Sequence, residues 1–176
     1  LYGNDSLTGG SGRADNFMMG DAEYIGYSWA ETGGNDTITG GGAGSYNVMF
    51  GDGYELGAYG TGGNDRLVSA AGEDTMYGDA EYMSETAVGG ADTFVFRFGN
   101  GDDEIMDFRL DDGDVIDISA MRTIIGSFAK LEAQGRIVDD GDGNAMLLLG
   151  RYTPGSDTLV LNGVAPGDVT AEMFIF

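Results

Sequence analysis

Residues 33–42 read GGNDTITGGG, five glycines around one aspartate and one isoleucine. The stretch is too rich in glycine for a helix, where each glycine costs about 1 kcal/mol relative to alanine. It would also make a poor isolated strand. Its reading is decided by recurrence. GND stands at 3–5, GGND at 33–36, GGND at 62–65 and GGAD at 89–92, so that Asp5, Asp36, Asp65 and Asp92 are spaced by 31, 29 and 27 residues. A second series falls between them: NFMMGDAEY from Asn16, NVMFGDGYE from Asn47 and DTMYGDAEY from Asp74, carrying Gly20-Asp21, Gly51-Asp52 and Gly78-Asp79. Self-similarity at this period is the mark of a solenoid.

Each long repeat contains two short units on a nine-residue frame, intact from Asp65 to Asp74. A unit reads as a turn of six residues followed by a strand of three. Glycine admits the left-handed torsions that so short a reversal needs, and period-two alternation leaves one inward residue per strand. The inward positions are Leu7, Ile38, Leu67 and Phe94 in one ladder and Met18, Met49, Met76 and Ile105 in the other. The methionines are read as packing residues, which fill irregular gaps well. Strands this short gain a core only by stacking on their neighbours. The expected fold is therefore all-β: a right-handed parallel β-roll of flattened section over residues 1–106, with about eight short strands.

Composition sharpens this. The 176 residues include 33 Gly and only 2 Pro, and 30 acids against 8 bases give a net charge of −22. Of the acids 21 are Asp and 9 are Glu; the shorter side chain suits turns and metal loops. No basic face for nucleic acid can be assembled. No apolar run is long enough to span a bilayer. With no Cys and no His, disulfides, thiolate chemistry, HExxH zinc sites and Ser-His-Asp triads are excluded. The N-terminal LYGNDSLTGG lacks an initiator Met and a signal-peptide pattern, and begins in mid-motif. The expectation is a piece of a longer protein.

Stacked turns would align the aspartates along two edges. One carries Asp5, Asp36, Asp65 and Asp92, together with Asp21, Asp52 and Asp79; the other carries Asn16, Asn47, Asp74 and Asp103. Two carboxylates about 4 Å apart repel by roughly 4 kcal/mol at an effective dielectric near 20. Several such pairs rival the ~5–15 kcal/mol that holds a domain together, so a cation is required between layers. Oxygen-only ligands, high coordination number and flexible loops suit Ca²⁺ over Mg²⁺ or a transition metal. Carbonyls of the glycine turns complete the ligand set. The candidates are Gly34, Gly63 and Gly90 beside the first edge, and Gly72, Gly99 and Gly101 beside Asn47, Asp74 and Asp103.

Over residues 3–106 these motifs resemble the RTX (hemolysin-type) calcium-binding β-roll. The resemblance implies several calcium ions, each shared by turns n and n+2 on one edge, and folding coupled to calcium. The sequence departs from the pattern in two ways. Asn16 and Asn47 replace aspartate on the second edge, with a two-residue surplus in their units, which puts the early sites of that edge in doubt; Asp15 is a candidate stand-in for Asn16. On the first edge, inserts AEYIGYSWAETG (22–33), GYELGAYGTG (53–62) and AEYMSETAVG (80–89) interrupt each turn. They should protrude side by side, carrying Tyr24, Tyr27, Trp29, Tyr54, Tyr59 and Tyr82 with Glu23, Glu55 and Glu81. Two readings of them stay open: tyrosines packing the loops on each other with glutamates adding calcium ligands, or an aromatic row that stacks on a carbohydrate or another surface.

Residues 107–176 are expected to form a cap in continuity with the roll. The segment DTFVFRFGNGDDEIMDFRLDDGDVIDIS resembles the end of the roll in serralysin-type secreted proteases, which implies Asp107 and Asp114 as ligands of a final ion. Asp111, Asp112 and Asp117 are read as solvated or turn-capping. Apolar residues at helical spacing predict a helix within 121–135, and GDGN predicts a hairpin turn at 139–144. The C-terminal DVTAEMFIF resembles the uncleaved signal of type I secretion substrates. Together these imply a bacterial, secreted, extracellular module that folds on calcium after export, with no catalytic role for its residues. The alternative is an adhesin or carbohydrate-binding module using the aromatic inserts.

Overall fold

The computed structural model describes residues 2–151 and 157–176. It is a β-roll of two stacked parallel sheets. The first sheet runs Ser6–Thr8, Thr37–Thr39, Arg66–Val68, Thr93–Val95, Val115–Asp117 and Phe174–Ile175. The second runs Asp15–Met19, Tyr46–Phe50, Glu73–Tyr77, Asp102–Ile105 and Thr158–Leu161, then turns antiparallel through Ala145–Leu148 and Ile137–Asp139. The register aligns identical motif positions. Leu7 faces Ile38, which faces Leu67, which faces Phe94, and the ladder continues to Ile116 and Phe174. Met18, Met49, Met76 and Ile105 form the second ladder, extended by Leu161.

Both ladders join one apolar core. Ile38, Met49, Leu67, Met76, Phe94 and Ile105 are wholly buried, each stabilising the fold by about 1.5–3 kcal/mol through burial. Their polar neighbours point outward, as the alternation in TIT or RLV requires. The methionines are core residues, as read from the sequence.

The inserts do run side by side, but as strands. Tyr24–Ile25, Gly53–Leu56 and Ala80–Met83 pair in parallel as a third sheet. Glu31–Thr32 and Gly60–Thr61 make a fourth, joined by a bridge from Thr61 to Val88. Ile25, Leu56 and Ala80 form a second small core with Ala22, Met83 and Ala87 against it. Gly26 sits at φ +71°, where a Cβ would lie 2.0 Å from the Gly60 amide nitrogen. Only glycine lets these two coils approach so closely.

Both sheets continue past residue 106 into the cap. The helix expected within 121–135 is confined to Phe128–Ala133, with a 3-10 turn at Ser119–Met121 before it. Ser127 explains where it starts: its backbone is extended and its side chain accepts the Lys130 amide. The hairpin lies where the sequence placed it, between Ile137–Asp139 and Ala145–Leu148, with Asp140 Oδ1 accepting the amides of Asp142 and Asn144. Among the described residues no helix is long and apolar enough to cross a membrane.

Candidate metal centre

Where the second sheet gives way to the first, each coil contributes a Gly-Asp pair, the insert, and a return through Gly-Gly-Asn-Asp or its variant. Stacking produces two columns of carboxylates on this edge. In one, each backbone amide bonds the aspartate of the next coil: Asp5 N donates to Asp36 Oδ1 (2.6 Å), Asp36 N to Asp65 Oδ1 (2.6 Å), Asp65 N to Asp92 Oδ1 (2.8 Å) and Asp92 N to Asp114 Oδ1 (2.9 Å). In the other, Gly34 N donates to Asp21 Oδ2 (2.6 Å), Gly63 N to Asp52 Oδ1 (2.8 Å) and Gly90 N to Asp79 Oδ1 (2.6 Å). Asp107 closes that column, accepting the amides of Gly78 and Asp79.

Asp21, Asp36, Asp52, Asp65 and Asp92 thus each spend one oxygen on a backbone amide and leave the other without a donor, whereas both oxygens of Asp107 and both of Asp114 are taken by backbone amides. Oδ2 of Asp36, Asp52, Asp65 and Asp92 and Oδ1 of Asp21 are buried with no hydrogen-bond donor, as is Oδ2 of Asp112, which has only the Arg109 guanidinium 3.7 Å away. An unpaired buried charge of this kind costs several kcal/mol. Burial pushes these acids upward: Asp36 to about 6, Asp65 to about 8, Asp114 to about 7 and Asp92 to about 10. Asp52 and Asp79 are raised too, first by burial and then by neighbouring carboxylates. Asp107 rises to about 6 through burial, although three backbone amides oppose the shift. Asp5, at the open end of its column, is exposed.

Two of the orphaned oxygens lie beside glycine carbonyls. A Cβ on Gly20 would lie 1.9 Å from Gly51 O and 2.0 Å from Asp36 Oδ2; one on Gly51 would lie 1.8 Å from Gly78 O and 2.3 Å from Asp65 Oδ2. At Gly63 and Gly90 the obstructing atoms are the carbonyl oxygens of Gly34 and Gly63, at 1.5 and 1.4 Å. No three acidic side chains among the described residues converge as a ready-made metal cluster. What converges is carboxylate oxygen with backbone carbonyl, a donor set that fits a hard cation of flexible coordination such as Ca²⁺. This edge fits the ion that the sequence motif implies.

The second edge is built otherwise. Asn16 Oδ1 accepts Gly10 N, and its Nδ2 donates to Asn47 Oδ1 (2.7 Å). Asn47 Oδ1 also accepts Gly41 N, while its Nδ2 donates to Asp74 Oδ1. Asp74 Oδ2 accepts Ala70 N, and Asp74 N donates to Asp103 Oδ1 (3.0 Å). Ser69 Oγ donates to Asp103 Oδ2 (2.8 Å) and accepts from Asn100 Nδ2. Asp74 and Asp103, the latter to about 8, are raised by burial. Asp15 is exposed in its strand opposite Tyr46, so Asn16 itself holds the edge position. Gly72 abuts Ser45 and Asn47. Gly99 and Gly101 take positive φ, the Gly99 amide donating to Asp157 and the Gly101 carbonyl accepting Thr158 N.

Several residues escaped the sequence reading. Asp112, read as solvated, has its Oδ2 buried at the first edge, where a Cβ on Gly89 would touch it; its place two residues before Asp114 was the available signal. Ser45, Ser69 and Asn100 complete the second edge, and no spacing rule singles out a serine. Asp117 does cap a turn, accepting Ser119 N. The insert aromatics stay largely exposed, Trp29 at 69% and Tyr27 at 61%. Tyr54 packs between Phe50 and Tyr82.

No protein-family model matches the chain, and no curated protein matches it. Among solved structures it is similar to the solution structure of the AlgE6R2 subunit of the mannuronan C5-epimerase from Azotobacter vinelandii, with a TM-score of 0.51 and 22% identity over 97% of this chain and 91% of that one. A likeness at this level shows a common β-roll fold.

Proposed function

We propose that this chain is an RTX-type calcium-binding β-roll of a larger secreted protein, which folds as it takes up calcium outside the cell. The observation that carries the reading is the row of buried carboxylate oxygens without donors along one edge, with glycine carbonyls beside those of Asp36 and Asp65. Asp21, Asp36, Asp52, Asp65, Asp79 and Asp92 with the carbonyls of Gly34, Gly51, Gly63 and Gly78 would hold the ions, and Asp112, with its buried Oδ2, would close the row beyond Asp107 and Asp114, whose oxygens are all bonded to backbone amides. Calcium supplies the positive charge that makes stacked ionised carboxylates tolerable. Without it, a chain of net charge −22 is driven apart by self-repulsion, the extended state that passage through a narrow export channel needs. Extracellular calcium modules bind with dissociation constants around 10⁻⁴–10⁻³ M, which would keep the roll open in a low-calcium cytosol. Type I export rests on the resemblance of the C-terminal DVTAEMFIF; deleting residues 168–176 from the exported protein should leave it inside the cell.

Circular dichroism during a calcium titration at pH 7.5, with magnesium as control, tests the coupling. Strand signal should appear with calcium alone. A spectrum already complete in chelator would overturn the reading.

A second reading, carbohydrate binding by the inserts, is favoured by the exposed Tyr24, Tyr27, Trp29 and Tyr82. A 420 Å³ cavity beside them is lined by Phe17, Met19, Glu23 and Tyr54. Glycan binding lost on trimming residues 53–62 would support it; silence of the intact chain on glycan arrays would count against it.

A further inference from the structure

We infer that the ions occupy one edge of the roll only: the edge of Asn16, Asn47, Asp74 and Asp103 takes none, its layers being joined by side-chain amides where ions would lie. The inference rests on the calcium reading above and limits it, because the repeat motif alone assigns ions to both edges.

Three observations carry it. The first is polarity. On the first edge, a methyl built on Gly20 or Gly51 has only oxygens as its nearest neighbours apart from the carboxyl carbon bearing one of them. On the second edge the same test at Gly40 meets only the two Asp74 oxygens, both already bonded, but at Gly41 it meets Asn16 Nδ2 (2.6 Å) beside Gly10 O and Ser45 Oγ, and at Gly72 it meets Asn47 Nδ2 (2.7 Å) beside Ser45 Oγ and Ser45 O. Amide hydrogens pointing into an interlayer position repel a cation.

The second is that these amides cannot turn round. The oxygens of Asn16 and Asn47 are fixed by backbone donors, Gly10 N and Gly41 N, both at 2.9 Å. Each amide nitrogen must therefore face the next layer. The third is completeness. Both oxygens of Asp74 and both of Asp103 already have donors, and no side-chain oxygen of this edge is among the buried orphans. To bind there, an ion would have to break the Asn47–Asp74 and Ser69–Asp103 bonds and leave their donors unpaired, at about 1–3 kcal/mol each.

The test locates the ions in the unaltered protein: crystals grown in calcium and then exchanged with terbium, whose anomalous signal marks every site. Peaks should follow Asp36, Asp65 and Asp92 and be absent around Asp74 and Asp103. In solution, the side-chain NH₂ resonances of Asn16 and Asn47 should keep their hydrogen-bonded shifts in the calcium-saturated protein. Native mass spectrometry of Asp65→Asn should show fewer ions than the unaltered chain, and of Asp74→Asn the same number. An ion ligated by Asp74 or Asp103, or an ion lost in Asp74→Asn, overturns this inference and leaves the calcium reading standing. Ions on neither edge overturn both. Should Asp74→Asn not fold, the terbium positions decide alone.

Discussion

The two edges of this roll solve the same problem with opposite chemistry. Both must stack polar turn residues one coil above another at strand spacing, and both use the side chain of one layer to bond the backbone of the next. On the aspartate edge the amide-to-carboxylate bonds of Asp21, Asp36, Asp52, Asp65 and Asp92 consume one oxygen and leave the other buried and unsatisfied. On the asparagine edge Asn16 and Asn47 both accept and donate and Asp74 and Asp103 accept on both oxygens, so the column closes on itself. On the calcium reading proposed above, replacing one oxygen by NH₂ converts a column that calls for an external cation into one that does not, and dependence on an ion becomes a property of an edge, not of the fold.

The largest effect that can break this contrast comes from crowding. Gly51→Ala puts a methyl 1.8 Å from Gly78 O, against backbone that cannot yield, and should abolish calcium-induced folding by circular dichroism. Gly10→Ala on the other edge meets nothing nearer than 3.4 Å and should leave the calcium midpoint unchanged. Equal damage from both would mean that the edges do not differ.

Acidity gives the next effect. Folded pKa values of about 8, 10 and 7 for Asp65, Asp92 and Asp114 lie above the ordinary aspartate value of 3.8. Groups raised on folding favour the folded state fully below pH ~4 and lose that contribution as pH rises through the folded values. In chelator the roll should therefore form in acid and lose stability from about pH 6, the folded value of Asp36, onward, leaving the strand signal incomplete at pH 7.5, and calcium should restore it. With calcium saturating, the pH dependence that persists should centre near the Asp103 value of about 8, because that carboxylate has no ion to replace its proton. Thermal melts against pH, with and without calcium, measure both.

Asp65→Asn should act in two directions: less calcium affinity, by about tenfold, or ~1.4 kcal/mol, and greater resistance to unfolding in chelator, since a buried orphan charge is gone. A calcium titration and a urea melt in chelator read the two signs. Smallest is Ser69→Ala, which strips a donor from Asp103 and an acceptor from Asn100. It should cost about 1 kcal/mol in urea denaturation with the same loss whether or not calcium is present.

Spacing alone revealed the two ladders, the aspartate columns and the hairpin, because period and register are one-dimensional facts. The inserts were harder. Ile25, Leu56 and Ala80 are separate apolar residues among glycines and tyrosines, and they become a core only when three coils bring them into register. The closed edge was legible as a substitution, Asn16 and Asn47 for aspartate, but its consequence depends on where each NH₂ points, which Gly10 and Gly41 determine from six residues away. The helix shrank because Ser127 caps it late and Gly135, at φ +61°, follows its end.

Phe174–Ile175 lies on Val115–Asp117, which lies on Thr93–Val95. A strand laid down nearly sixty residues later in the chain thus finishes the first sheet. Until those residues arrive, Val115–Asp117 presents bare amides and carbonyls to any passing strand, and a nascent or half-threaded polypeptide would be most prone to aggregate there. Order of assembly is thereby built into the topology: the roll can grow coil by coil from its N-terminal side, yet its last seam is sewn only when residues 174–175 are free to return.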